Sequence, residues 1–153
     1  MATLPRRPAF ISSLIYRDNR AALKWLQTAF GFETSEVLTD SKDNIVHAEM
    51  SHDDGVIMIG NEFTDWAKSP QSIGGKNTQR LHVRIERDID AHYERARAAG
   101  AQIVMRPTDQ FYGERSYVAV DLEGHHWTFS QTVRAVTRED MEKATGFRFQ
   151  PLS

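Results

Sequence analysis

The sequence predicts an α+β fold of two tandem βαβββ modules, forming a cupped mixed sheet with the helices on its outside. Three observations predict it. The order of strand-like and helix-like stretches is the same in both halves of the 153 residues. Each half places one amphipathic helix after its first strand and stops it at a glycine, Gly31 and Gly100. The two helix stretches also align residue by residue, Arg17-Asp18 through Ala29 on Arg87-Asp88 through Ala99, at an offset of 70. A unit repeated in this way buries its sheet only with the help of the other copy.

Residues 10–16 form a short apolar run with β-branched and aromatic side chains, which predicts a strand. Asp18 or Asn19 then caps a helix on which Ala22, Leu23, Leu26, Ala29 and Phe30 recur at helical spacing. Gly31 ends it in the left-handed conformation that a β-carbon disfavours. Strands are predicted over 34–39, 45–50 and 56–61, separated by the turn-rich stretches 40–44 and 52–55. Residues 63–78 have no period and are rich in Ser, Gly, Lys and Asn; a loop of this length is a lid or a crossover. The pattern then restarts. A strand over 80–85 precedes a helix capped by Asp88 or Asp90, with Ile89, Tyr93, Ala96 and Ala99 on one face. Strands follow over 102–105, 115–121 and 126–131. Thr137-Arg-Glu-Asp140 resembles a capping box with Asp in place of Glu, opening a short helix that Gly146 stops. The chain thus divides as one domain, 1–153, with modules 8–62 and 79–132, a connecting loop 63–78 and a C-terminal helix and tail 133–153.

Composition excludes several function classes. Apolar residues are 40% and charged residues 26% of the chain, the balance of a folded globule rather than a disordered segment. The net charge is −2 and no basic stripe breaks the pattern, so nucleic acid is not an expected partner. No apolar run approaches the roughly 20 residues that span a bilayer, and no signal-peptide core follows Arg6 and Arg7. No membrane partner is expected. There is no cysteine, which removes disulfides, thiolate metal sites and cysteine nucleophiles and fits a cytoplasmic location.

Strand alternation sorts the faces. Val46, Ala48 and Met50 alternate with His47, Glu49 and Ser51; Leu81, Val83 and Ile85 alternate with His82 and Arg84. The apolar sets pack on helices and the polar sets point into the cup. Val118 and Val120 are assigned to the core, which leaves Tyr117 and Ala119 for the cup. His126, Thr128 and Ser130 share one face of the last strand, and Trp127 and Phe129 the other. His47, Glu49, His82 and Arg84 form a candidate polar floor, with Trp66, Phe111, Tyr112, Arg115 and Tyr117 as candidates around it. The plainer reading is a polar sheet face turned to water, and it applies to each of the four floor residues. His52, in a turn, and His92, on a helix, are read as solvated.

The stretch 19–32, ending in Ala-Phe-Gly-Phe, and the stretches Gln110-Phe-Tyr-Gly-Glu-Arg115 and Gly124-His-His-Trp127 resemble the vicinal oxygen chelate superfamily, the glyoxalase/bleomycin-resistance/dioxygenase fold. The second half is similar to its PhnB-like subgroup. Leu122-Glu123 departs from that subgroup, which more often has Pro there. The resemblance, over residues 8 to 132, implies a cavity in which metal-dependent members hold a divalent ion on four His or Glu side chains. The aligned positions here are Ile11, Met58, a position near His82, and Thr128. Ile, Met and Thr do not hold such an ion, so no family-type metal and no cofactor are expected.

The resemblance leaves three readings of function. The first is a metal-independent protein that binds a small molecule, sequestering an antibiotic or metabolite, with His47, Glu49, Met58, Trp66, His82, Arg84, Phe111, Tyr112, Arg115, Tyr117 and Thr128 as ligand-binding candidates. The second is a metal-independent isomerase or lyase using His47, Glu49 or His82 for acid–base chemistry. The third is a metal-dependent lyase or dioxygenase with a site shifted to His47, Glu49 and His82. The family commonly dimerises, so a homodimer is expected by resemblance.

Overall fold

The computed structural model describes residues 6–152. Its elements run β1 (Ser12–Tyr16), α1 (Asn19–Phe30), β2 (Glu33–Thr39), β3 (Ile45–His52), β4 (Gly55–Asn61), a short 3-10 turn (Pro70–Ile73), β5 (Leu81–Arg84), α2 (Ile89–Ala98), β6 (Gln102–Asp109), β7 (Glu114–Val120), β8 (His126–Thr132) and α3 (Arg138–Thr145). The fold class is therefore α+β with two tandem modules. The reading of the chain's start touches residues 1–5, which lie outside the described residues.

Each module folds one four-stranded mixed sheet, in the orders β1-β4-β3-β2 and β5-β8-β7-β6. The parallel pair of each, β1 with β4 and β5 with β8, is the crossover that the helix makes possible. The two sheets are not joined by strand pairing, so β1 and β5 are both edge strands.

Local chemistry fixes the helices. The Asp18 carboxylate accepts from Ala21 N at 2.9 Å and caps α1, while Asp88 does the same for α2 through Ala91 N. Asn19 lies inside α1 and donates to Ile45 O at 3.0 Å, which ties the helix to β3. The Thr137–Asp140 capping box is present and Gly146 closes α3 in the left-handed conformation. β6 runs four residues beyond the predicted 102–105, through Pro107. An edge strand tolerates a proline because the missing N–H faces no partner, and the register shifts across this stretch.

The helix-facing sides of both sheets share one core. Leu14, Tyr16, Met50 and Ile59 of the first module and Tyr117, Trp127 and Phe129 of the second enclose the buried faces of α1 and α2. Phe30 packs against Trp127 and Phe129 at centroid distances of 5.4 and 4.6 Å. Trp25 Nε1 donates to Ala99 O at 3.0 Å and joins the two helices directly. The modules thus meet helix side to helix side, and their other sheet faces point away from this seam.

One turn of the second module completes a corner of the first. Asp121 is buried and accepts from Tyr16 OH (2.6 Å), Trp127 Nε1 (3.0 Å) and the backbone N–H groups of Glu123 and His125. The buried Glu123 carboxylate accepts from Arg17 N and Asp18 N at 2.7 and 3.0 Å. Burial, then the Asp121 charge, raise the Tyr16 phenol well above its usual range, so it remains a donor. His125 Nε2 donates to Ile15 O, and His52 Nε2, at the end of β3, donates to Arg84 O. His52 is therefore a seam residue and not the solvated turn residue that the sequence suggests. No helix among the described residues is long and apolar enough to cross a membrane.

Candidate functional site

The strand register places side chains on the faces turned away from the core. In the first module Glu49 pairs with Met58, and Met58 with Ser13, so these three share a face with His47. In the second, Thr128 pairs with His82 and with Val118, and Ser130 continues the same row. Met58 and Thr128 occupy corresponding positions, as do Ser13 and His82. The counterpart of His82 is therefore Ser13, two residues from the aligned Ile11. The set that a family-type metal would need reads Ser13, Met58, His82 and Thr128. One imidazole with two hydroxyls and a thioether does not fit a hard or borderline divalent ion.

The first face carries a charged network. Arg7 Nη2 donates to Glu49 Oε1 at 2.7 Å and His47 Nε2 lies 3.4 Å from the same oxygen. The Arg7 hydrogen bond holds the Glu49 carboxyl below the usual range, with His47 adding to it, so Glu49 is ionised at neutral pH. Glu36, opposite Glu49 on β2, brings a third ligand-type atom within 4.8 Å of those of His47 and Glu49. His82 does not join this cluster. On the second face its Nε2 bonds Ser130 Oγ at 2.6 Å and lies 3.7 Å from Glu114 Oε2. Because Ser130 and Glu114 approach the same ring nitrogen, the trio lacks the relay geometry of a hydrolase triad. Thr128 Oγ1 is buried and has no hydrogen-bond partner among the described residues.

Two site candidates are corrected. Tyr117 pairs with Phe129 on the core side, is fully buried, and hydrogen-bonds His92; Val118 takes the outward face instead. Arg115 bridges Asp90 of α2 and Asp109 of β6 at 3.0 Å each, which pins the hairpin to the helix. Val46 also departs from expectation, being half exposed although Ala48 and Met50 on its face are buried. Phe111 and Tyr112 stack edge to face at an exposed turn. Trp66 does likewise with Phe63 and is 79% exposed.

Sequence reasoning missed His92. Its Nε2 lies 3.0 Å from Phe30 O, which only accepts, so Nε2 carries the proton and Nδ1 accepts from Tyr117 OH at 2.6 Å. Burial depresses its pKa to about 4. Also missed was a cleft of about 350 Å³ between the β3–β4 hairpin and β5, floored by Phe32, Met50, Ile57, Leu81, Val83 and Trp127, with His82 and Arg84 at its rim.

The model of the Glyoxalase/Bleomycin resistance protein/Dioxygenase superfamily matches residues 9–129. The chain belongs to this superfamily. TioX from Micromonospora sp. ML1 is 30% identical, over 80% of this chain and 97% of its own, with a TM-score of 0.63. The Mycobacterium bovis protein Mb0911c is 28% identical over 141 residues, 90% of this chain and 91% of its own. TnmS3 from Streptomyces sp. CB03234, described as an antibiotic binding protein, shares the fold at 15% identity and a TM-score of 0.63, covering 86% and 99% of the two chains.

Proposed function

We propose that this superfamily member is a metal-independent small-molecule-binding protein that sequesters an antibiotic or metabolite and acts as a cytoplasmic homodimer. The observation that carries the reading is the set Ser13, Met58, His82 and Thr128 on the outward faces, where the superfamily's metal-dependent members need ionisable ligands. The faces are polar at the floor, with His47, Glu49, His82, Arg84 and Thr128, and exposed aromatics at Trp66, Phe111 and Tyr112 offer flat stacking surfaces. The use of the same scaffold for antibiotic binding in TnmS3 supports the assignment. The stretches 110–115 and 124–127 favour the PhnB-like subgroup.

A second copy is part of the proposal. Each chain carries two half-cups facing away from its own seam, and neither half-cup is closed by the other module of the same chain. A second copy that sets a first-module face opposite a second-module face completes the cup that neither chain closes alone.

Elemental analysis of tag-free protein, purified without chelators, is the first test. Less than about a tenth of an ion per chain is expected. About one ion per chain, lost in His47→Ala, would establish instead a metal site at Glu36, His47 and Glu49. A ligand screen by thermal shift, with light scattering for mass, tests the rest: an unchanged ligand recovered after binding is expected, and turnover lost in Glu49→Gln would favour the acid–base enzyme suggested by the His47–Glu49 contact.

A further inference from the structure

Two adjoining cavities lie where the loop after β4 crosses the ends of β1 and β8. One, of about 160 Å³, is lined by Lys68, Lys76, Asn77, His125 and His126, with Ser12 and Ser13 supplying hydroxyls. The other, of about 330 Å³, shares Asn77, Thr78, Gln79 and His126 and adds Arg80. No Asp or Glu lines either.

The loop is built to hold this shape. Ser69 and Pro70 are buried, Ser69 N donates to Glu62 Oε1 at 2.9 Å, and Gln71 N donates to Glu123 O at 3.0 Å. Gly74 and Gly75 then turn the chain with successive φ values of 70° and 78°, a conformation that side chains resist, and deliver Lys76 and Asn77 to the cavity. Asn77 Oδ1 accepts from Gln79 N, but its Nδ2 is out of reach of solvent and has no acceptor among the described residues. Turned into the cavity, an unpartnered amide N–H of this kind is stabilised by an incoming acceptor.

The charged neighbours leave the cavity cationic. Glu62 is the nearby carboxylate; hydrogen bonds from Ser72 and Ser69 keep it below the usual range, and it lies 3.9 Å from Lys68. It offsets Lys68 in part. Lys76 and Arg80 make no ion pair among the described residues. His125 is engaged through Nε2 by Ile15 O.

We propose that an oxyanion, a phosphate or carboxylate group of a small molecule, binds where the two cavities meet at Asn77, between Lys76 of the smaller and Arg80 of the larger, with the Asn77 amide as a neutral donor. The site does not depend on the function proposed above. His126 shares the outward face of Thr128, so an anion bound here sits at the end of the second half-cup.

The test titrates the full-length protein with inorganic phosphate, methyl phosphate and acetate against sodium chloride at matched ionic strength, reading melting temperature and the Asn77 side-chain amide resonance. Saturable stabilisation beyond chloride is expected, with a shift of that amide. Lys76→Gln and Arg80→Gln, both at exposed positions, should each weaken binding about tenfold or more. Asn77→Asp should abolish it. Preference for the phosphates identifies a phosphorylated ligand, and preference for acetate a carboxylic acid; either result supports the site. No effect beyond matched chloride up to about 50 mM, or equal affinity in the Lys76→Gln/Arg80→Gln double variant, overturns it.

Discussion

Acid should open the seam between the modules through His92. The neutral imidazole is satisfied on both sides there, by Phe30 O and Tyr117 OH, and stacks on Phe30. Its folded pKa of about 4 lies below the ordinary 6.5 because burial disfavours the cation. The unfolded chain therefore binds the extra proton first as pH falls. The stabilisation is complete above about pH 7, drains away as pH falls from 6.5 towards 4, and changes no further below that. That separation corresponds to about 3 kcal/mol in full, most of it lost by pH 4.5. The assay is urea unfolding of the wild type and His92→Gln at about pH 7.5, 6 and 4.5. The variant should be less stable than wild type at pH 7.5, by roughly 1–2 kcal/mol for its imperfect hydrogen bonds. The gap should close or reverse by pH 4.5. A gap that stays constant across this range, or a His92 resonance titrating above pH 6, would refute the reasoning.

Three further outcomes follow from the same geometry. Asp121→Ala removes the acceptor of four donors, three of them buried, and should cost at least about 3 kcal/mol, a fall in Tm of roughly 6–12 °C by calorimetry. Gly113→Ala should destabilise by about 2 kcal/mol, because φ is 90° and the added methyl meets the Arg134 carbonyl; denaturant unfolding reads it. Arg7→Ala should raise the Glu49 pKa, since the Arg7 hydrogen bond is the main cause of its depression, and carbon-detected NMR titration of the carboxyl would show an unchanged value if that cause is wrong.

The sequence made the modules legible because helix and strand periods, capping Asp residues and terminal glycines are all local. It also sorted His47, Glu49, His82 and Thr128 onto shared faces, since each alternates with apolar neighbours. The β7 strand resisted: both of its faces, Tyr117/Ala119 and Val118/Val120, are apolar, so alternation had no polar side from which to choose. His92 was illegible for another reason. Its partners, Phe30 O and Tyr117 OH, stand 62 and 25 residues away, and nothing in the spacing of α2 marks them. The separation of the sheets was hidden too, because alternation tells which side chains share a face but not where that face points. The cavity at Lys76 and Arg80 was hidden by its loop, whose aperiodic sequence reads as a linker until buried Ser69 and Pro70 fix its path.

The corner at Tyr16, Arg17 and Asp18 waits for Asp121 and Glu123, which stand 105 or 106 positions further along the chain. During synthesis, at roughly 5–20 residues per second, that distance is roughly 5–20 s of elongation. For that interval the nascent first half holds a phenol and two amides without their native acceptors, although Asp18 already caps α1. The first module's corner is therefore finished only after the last hairpin has emerged.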